Sequence, residues 1–159
     1  AIPARRYDAR HEREPGLVMV FFHGGGFVIG DLDTHEPYCA EAARLLDMPV
    51  ISIDYRLAPE HRFPAAAEDC EAATRWIAEN IACTGLVLSG DSAGGNLTIV
   101  TAMALRDAPA AKPVVAQHPI YPTTSSSVDW QSYRDFKEGY LLTEEGMIWF
   151  GEQYQWQMG

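Results

Sequence analysis

LVLSGDSAGGNL, residues 86–97, joins an apolar run to a stretch rich in small residues. Leu86–Leu88 has the continuous apolar character of a buried strand, and helical spacing follows from about Ala93 to Arg106. Between them lies G-x-S-x-G, with Ser92 at its centre. A sharp strand-to-helix turn projects a serine hydroxyl clear of the sheet, and small neighbours leave room for the crowded backbone. The pattern predicts a nucleophilic serine; the alternative is a tightly packed helix cap.

The rest of the chain alternates in the same way between short apolar runs and amphipathic stretches. This alternation predicts an α/β protein, with a mostly parallel sheet, helices on both faces and binding sites beyond the carboxyl ends of the strands. We expect one domain over residues 1–159. The other predicted strands are an edge strand at 5–7, strands at 17–22 and 50–53, and a strand from Val114 that breaks up at Pro119 and Pro122. Helices are predicted at 34–46, after Pro64 and at 143–154, and a Ser/Thr-rich loop at 123–128.

The bulk composition narrows the choice of partners. A formal net charge of −10 argues against a nucleic-acid partner, because few cations are present to release counterions from a phosphate backbone. The three cysteines have no short paired spacing, which favours a reducing compartment and hence a cytoplasmic location. No apolar stretch approaches the roughly 20 residues of a transmembrane helix.

A second glycine-rich segment, FFHGGGF at residues 21–27, also follows a predicted buried strand. It lacks the glycine spacings of phosphate-binding loops, and the acidic stretch 31–33 comes soon after it. Consecutive glycines instead allow backbone amides to turn inward, where they stabilise a developing oxyanion. We therefore predict an oxyanion hole formed by the amides of Gly24, Gly25 and Gly26, together with that of Ala93 in the serine turn.

Three motifs together resemble the hormone-sensitive-lipase family of α/β-hydrolases, the bacterial family IV esterases. They are HGGGF at 23–27, DYRLAPEH at 54–61 and GDSAGGNL at 90–97, and the likeness extends to GYLLT at 139–143. The resemblance implies a partial α/β-hydrolase fold in which Ser92 is the nucleophile, His23 orders the glycine turn and Asp91 orders the site. It also implies hydrolysis of short- to medium-chain acyl esters through an acyl-enzyme, with no metal or organic cofactor.

The residues that would activate the serine are harder to find. In α/β-hydrolases an Asp or Glu and then a His follow the nucleophile along the chain, but His118 alone follows Ser92. His11, His35 and His61 precede Ser92 and are interpreted as surface or loop-ordering residues, and Asp129 and Asp135 as solvated residues of a polar loop. We therefore expect a fragment that lacks the family's N-terminal cap and its C-terminal third, and that is inactive by itself.

Two other functions remain open at this point. Non-catalytic small-ligand receptors, such as the plant gibberellin receptors, resemble the same family and have lost the triad histidine. Amide or formamide hydrolysis would use the same residues as ester hydrolysis. The sequence favours a small-molecule ester as the partner and leaves the oligomeric state open.

Overall fold

The computed structural model describes residues 1–125 and 129–155, and they form a five-stranded sheet with flanking helices. The elements are β1 (Ala4–Tyr7), β2 (Leu17–Phe22), α1 (Glu36–Leu46), β3 (Val50–Ile53), α2 (Ala65–Asn80), β4 (Gly85–Asp91), α3 (Ala93–Asp107), β5 (Val114–Ile120), α4 (Gln131–Phe136) and α5 (Glu144–Tyr154). The strand order is β1-β3-β2-β4-β5; β1 is antiparallel to β3, and the other neighbouring strands are parallel.

The central strand β2 is buried on both faces, which explains its unbroken apolar sequence. Side chains alternate across a strand, so Val18, Val20 and Phe22 enter a large core that also holds buried residues of α2 and α3. Met19 and Phe21 enter a smaller core that holds Cys39 and Ala43 of α1. The predicted class, a mostly parallel sheet with helices on both faces, is confirmed.

The predicted break at Pro119 is wrong. The strand β5 continues to Ile120, and Pro119 is paired with Gly90 of β4. Proline is tolerated here because β5 is the outermost strand of the described sheet, and an edge strand uses only half of its backbone groups for pairing. Of the predicted loop at 123–128, residues 126–128 lie outside the described residues.

The C-terminal region contains one helix that was predicted and one that was not. Thr143 caps α5 as expected, since its hydroxyl accepts a hydrogen bond from the amide of Gly146 at 3.2 Å. The six-residue helix α4 contains Asp135, which had been placed in a loop. Its few residues carry too little apolar periodicity to predict a helix.

Candidate active site

The two glycine-rich segments meet at one edge of the sheet. In the parallel pairing of β2 with β4, Phe22 lies opposite Gly90, so the chain leaves both strands side by side. The amide of Gly24 donates a hydrogen bond to Asp91 Oδ1 at 2.8 Å, although the two residues are 67 positions apart in sequence. The glycine turn and the serine turn are therefore direct neighbours.

Ser92 occupies a strained turn between β4 and α3. Its φ of 54° and ψ of −114° form a backbone conformation that residues other than glycine rarely adopt. Hydrogen bonds hold it there: its amide donates to the carbonyl of Ile120 at 2.9 Å, and its own carbonyl accepts from the amide of Asn96 at 3.1 Å. A side chain on Gly94 would overlap the carbonyl oxygen of Phe22. Close packing against the backbone thus explains why the motif contains small residues, as the sequence predicted.

The glycine turn is built from conformations that favour glycine. Gly25 and Gly26 have φ values of 120° and 61°, and the amides of Val28 and Ile29 both donate to the carbonyl of Gly25 at 3.0 Å. Among residues 1–125 and 129–155, the amides of Gly25 and Gly26 have no hydrogen-bond acceptor. These two N–H groups are therefore available to a bound oxygen atom.

Gly24 differs from the other predicted oxyanion donors. Its amide hydrogen is already donated to Asp91, and a Cβ at this position would overlap the same carboxylate. The amide of Ala93, the first residue of α3, has no acceptor in the described parts of the chain. The geometry thus leaves Gly25, Gly26 and Ala93 as candidate donors and gives Gly24 a role in anchoring the turn.

His23 is fully buried beneath the glycine turn. Its Nδ1 lies 2.7 Å from the carbonyl oxygen of Gly24, and its ring stacks on Tyr55 at 4.3 Å. The Tyr55 hydroxyl donates to the carbonyl of His23 at 2.7 Å. Burial lowers the pKa of His23 below its usual value, and the contact with Gly24 offsets this only in part. A neutral ring that donates to Gly24 supports the predicted role of ordering the turn.

Asp91 is held by two donors. Besides the amide of Gly24, the Nε2 atom of His35 lies 3.1 Å from Asp91 Oδ1. Partial burial raises the pKa of Asp91, but His35 and the Gly24 amide outweigh it and bring the pKa below its usual value. The sequence had suggested only that His35 orders a loop or lies at the surface, because nothing in its local pattern points to a partner 56 residues away.

The other candidates for the base and the acid, His118 and Asp135, form hydrogen bonds with residues other than Ser92. His118 is paired with Ser89, whose hydroxyl donates to the carbonyl of His118 at 3.1 Å. Asp135 accepts a hydrogen bond from Gln131 within α4 at 2.6 Å. No histidine in the described ranges forms a hydrogen bond with Ser92.

The helix α5 forms an aromatic wall beside the glycine turn. The Phe150 ring fills the space that a side chain on Gly26 would need, and the Tyr154 ring stacks on Phe27 at 3.9 Å with an interplanar angle of 7°. The amide of Phe63 donates to the carbonyl of Tyr154 at 3.0 Å. The sequence predicted this helix but contained no indication of where it docks.

Within residues 1–125 and 129–155, no group of three or more His, Cys, Asp or Glu side chains is arranged to hold a metal ion. No helix in these same ranges has the length and apolar character to cross a membrane.

Comparison with known proteins gives a consistent group of relatives. A family described as having the alpha/beta hydrolase fold matches residues 19–159. The chain is 43% identical to the carboxylic ester hydrolase LipN of Mycobacterium tuberculosis, covering 96% of this chain and 44% of that protein. It is 38% identical to the ethyl acetate hydrolase of Pseudomonas putida, covering 87% of this chain and 45% of that protein. The chain therefore spans less than half the length of these curated relatives.

Solved structures agree with this grouping. An esterase from Pyrobaculum calidifontis superposes with a TM-score of 0.87 at 43% identity, covering 96% of this chain and 52% of that one. An ester hydrolase from the metagenome of Lake Arreo, solved with a derivative of bipyridine phosphonate, gives a TM-score of 0.91 at 43% identity, covering 99% of this chain and 52% of that one.

Proposed function

The chain belongs to the α/β-hydrolase fold family, in its hormone-sensitive-lipase-like branch, and on this basis we propose that the protein is a serine hydrolase of small carboxylic esters. One observation carries the proposal. The strained turn that presents Ser92 lies beside a glycine turn in which two amides have no hydrogen-bond acceptor among the described residues. The hydrogen bond from the Gly24 amide to Asp91 joins the two turns. A hydroxyl next to preorganised N–H donors suits acyl transfer.

In the proposed reaction, Ser92 Oγ attacks the carbonyl carbon of the ester. The carbonyl oxygen then gains negative charge, which the amides of Gly25, Gly26 and Ala93 stabilise. Ser92 must lose its proton to a base as it attacks, and the base then passes this proton to the departing alcohol. Water hydrolyses the resulting acyl-enzyme to release the acid. Because no histidine in the described ranges forms a hydrogen bond with Ser92, we propose that this base and the acid that orients it come from a part of the protein outside the described residues, and that residues 1–159 alone are inactive.

The nucleophile is tested with the complete polypeptide that the gene encodes and with p-nitrophenyl butyrate as substrate. We expect Ser92→Ala to lower kcat by about 10⁴-fold or more, because a nucleophile that acts together with a base cannot be replaced. Ser89→Ala is the matched control, since Ser89 lies three residues earlier and its hydroxyl donates to His118. Full activity in Ser92→Ala would end the proposal.

The same assay separates the competing functions. A non-catalytic receptor would bind small ligands without turnover. An amide hydrolase would also cleave the matching p-nitroanilide far above the uncatalysed rate, which an esterase would not. A series of p-nitrophenyl esters tests the proposed preference for short to medium acyl chains. We also propose a cytoplasmic location, because the cysteines are free and buried, as is usual in a reducing compartment.

A further inference from the structure

A short hydrogen-bonded path leads from the loop before α1 into the glycine turn. Asp91 Oδ1 is its central atom: the amide of Gly24 donates to it at 2.8 Å, and His35 Nε2 lies 3.1 Å from it. Asp91 and His35 are both largely shielded, with side chains 16% and 22% exposed. A hydrogen bond to a carboxylate in such a site is stronger than one at an open surface.

The His35 ring is itself held from its other side. Its Nδ1 lies 3.0 Å from Thr34 Oγ1. The Thr34 hydroxyl is fixed in turn by Asp31, whose amide donates to it at 2.9 Å and whose carbonyl lies 2.8 Å away. The ring also packs against the rings of Phe21 and His23, with centroids 5.8 Å and 5.7 Å away. These contacts fix the direction in which Nε2 points.

The position of the Asp91 carboxylate matters because Gly24 directly precedes Gly25 and Gly26, two of the three candidate oxyanion donors. A side chain on Gly24 would overlap this carboxylate, so the two residues are in close contact. A shift of the Asp91 carboxylate would break its hydrogen bond with the Gly24 amide. The first residue of the glycine turn would then no longer be held in place. Oxyanion stabilisation depends on donors that are already in place when the charge forms.

We propose that His35 is a positioning residue for the oxyanion turn, acting through Asp91 on the amide of Gly24. The inference rests on the proposed function, because it assigns the glycine turn a task during ester hydrolysis. We assign His35 no direct contact with the substrate or with Ser92. Its effect is on the transition state, where the charge on the oxygen is greatest.

The test compares two substitutions of similar volume in the complete polypeptide, His35→Gln and His35→Leu. The glutamine amide can donate to Asp91, whereas leucine fills the space without a donor. We expect His35→Leu to lower kcat for p-nitrophenyl butyrate about tenfold or more, with KM changed less than about twofold, because misplaced donors weaken transition-state binding selectively. Glutamine should restore most of kcat. His11→Ala, which changes an exposed histidine, is the control.

Asp91→Asn tests whether His35 acts through Asp91. If it does, the double variant His35→Leu/Asp91→Asn should lose much less kcat than the product of the two single losses. Hydrogen exchange gives a readout that needs no activity. The amide of Gly24 should exchange faster in His35→Leu than in the wild type, and His35→Gln should slow it again.

These measurements separate the two proposals. An inactive wild-type protein whose Gly24 amide still responds to His35→Leu would contradict ester hydrolysis and leave the positioning contact supported. An active wild-type protein in which His35→Leu changes neither kcat nor the exchange of Gly24 would overturn the inference. Equal losses in the leucine and glutamine variants would also overturn it, because the donor would then be irrelevant.

Discussion

At the residue scale, two glycines in helices show how strongly the surroundings determine the effect of one methyl group. A Cβ on Gly94 would overlap the carbonyl oxygen of Phe22, whereas a Cβ on Gly151 in α5 has no heavy atom within 4 Å. We expect Gly94→Ala to lower the free energy of unfolding by about 3 kcal/mol through overpacking. Gly151→Ala should raise it by about 0.5–1 kcal/mol, because alanine favours the helix. Denaturant unfolding of both variants checks the pair, and similar values would contradict the steric account.

The pKa of Asp91 leads to a prediction about acid stability. Because its pKa is lower in the folded protein than in the unfolded chain, its charged form stabilises the fold at pH values above about 4. This contribution is lost as the pH falls from about 4 through the lower pKa of the folded state. We expect Asp91→Asn to be less stable than the wild type at pH 7, with the difference shrinking below pH 4. Thermal unfolding from pH 7 to pH 2 measures it; a constant difference would contradict the prediction.

The same residues show how far local sequence can determine a site. The pattern around Ser92 predicted a sharp turn, because its small neighbours are needed wherever this turn occurs. It could not predict that the Gly24 amide points at Asp91, or that His35 reaches the same oxygen. Those contacts depend on the parallel pairing of β2 with β4. The spacing of residues within either segment does not predict this pairing.

At the element scale, the docking of α5 beside the site can be tested at one ring. Tyr154 stacks on Phe27, and burial raises its pKa to about 12. We expect Tyr154→Ala to weaken the docking of α5 by roughly 2–4 kcal/mol, since it removes a largely buried aromatic ring. Tyr154→Phe keeps the ring and should behave like the wild type. Limited proteolysis within residues 144–155 reports undocking, and equal cleavage of both variants would show that the stack does not hold the helix.

At the scale of the whole molecule, one edge of the described sheet is open. Residues 115–118 of β5 are exposed, and β4 is the only described strand that pairs with β5. Unpaired strand edges promote association between chains. We expect residues 1–159, expressed alone, to self-associate, and Ala116→Lys to reduce this because an edge lysine opposes strand pairing. Ala40→Lys, the same change at an exposed site on α1, is the control. Sedimentation velocity measures the difference, and equal association of the two variants would contradict a role for the edge.

The sequence by itself determined the class of fold, because continuous apolar runs and amphipathic spacing are local consequences of which faces of a strand or helix are buried. It also determined the two turns, since their glycines are required by backbone geometry within a few residues. Only the tertiary structure decided which amides remain available, that His35 contacts Asp91 and that α5 covers Gly26. These features join residues that are distant along the chain, and the packing of sheet and helices brings them together.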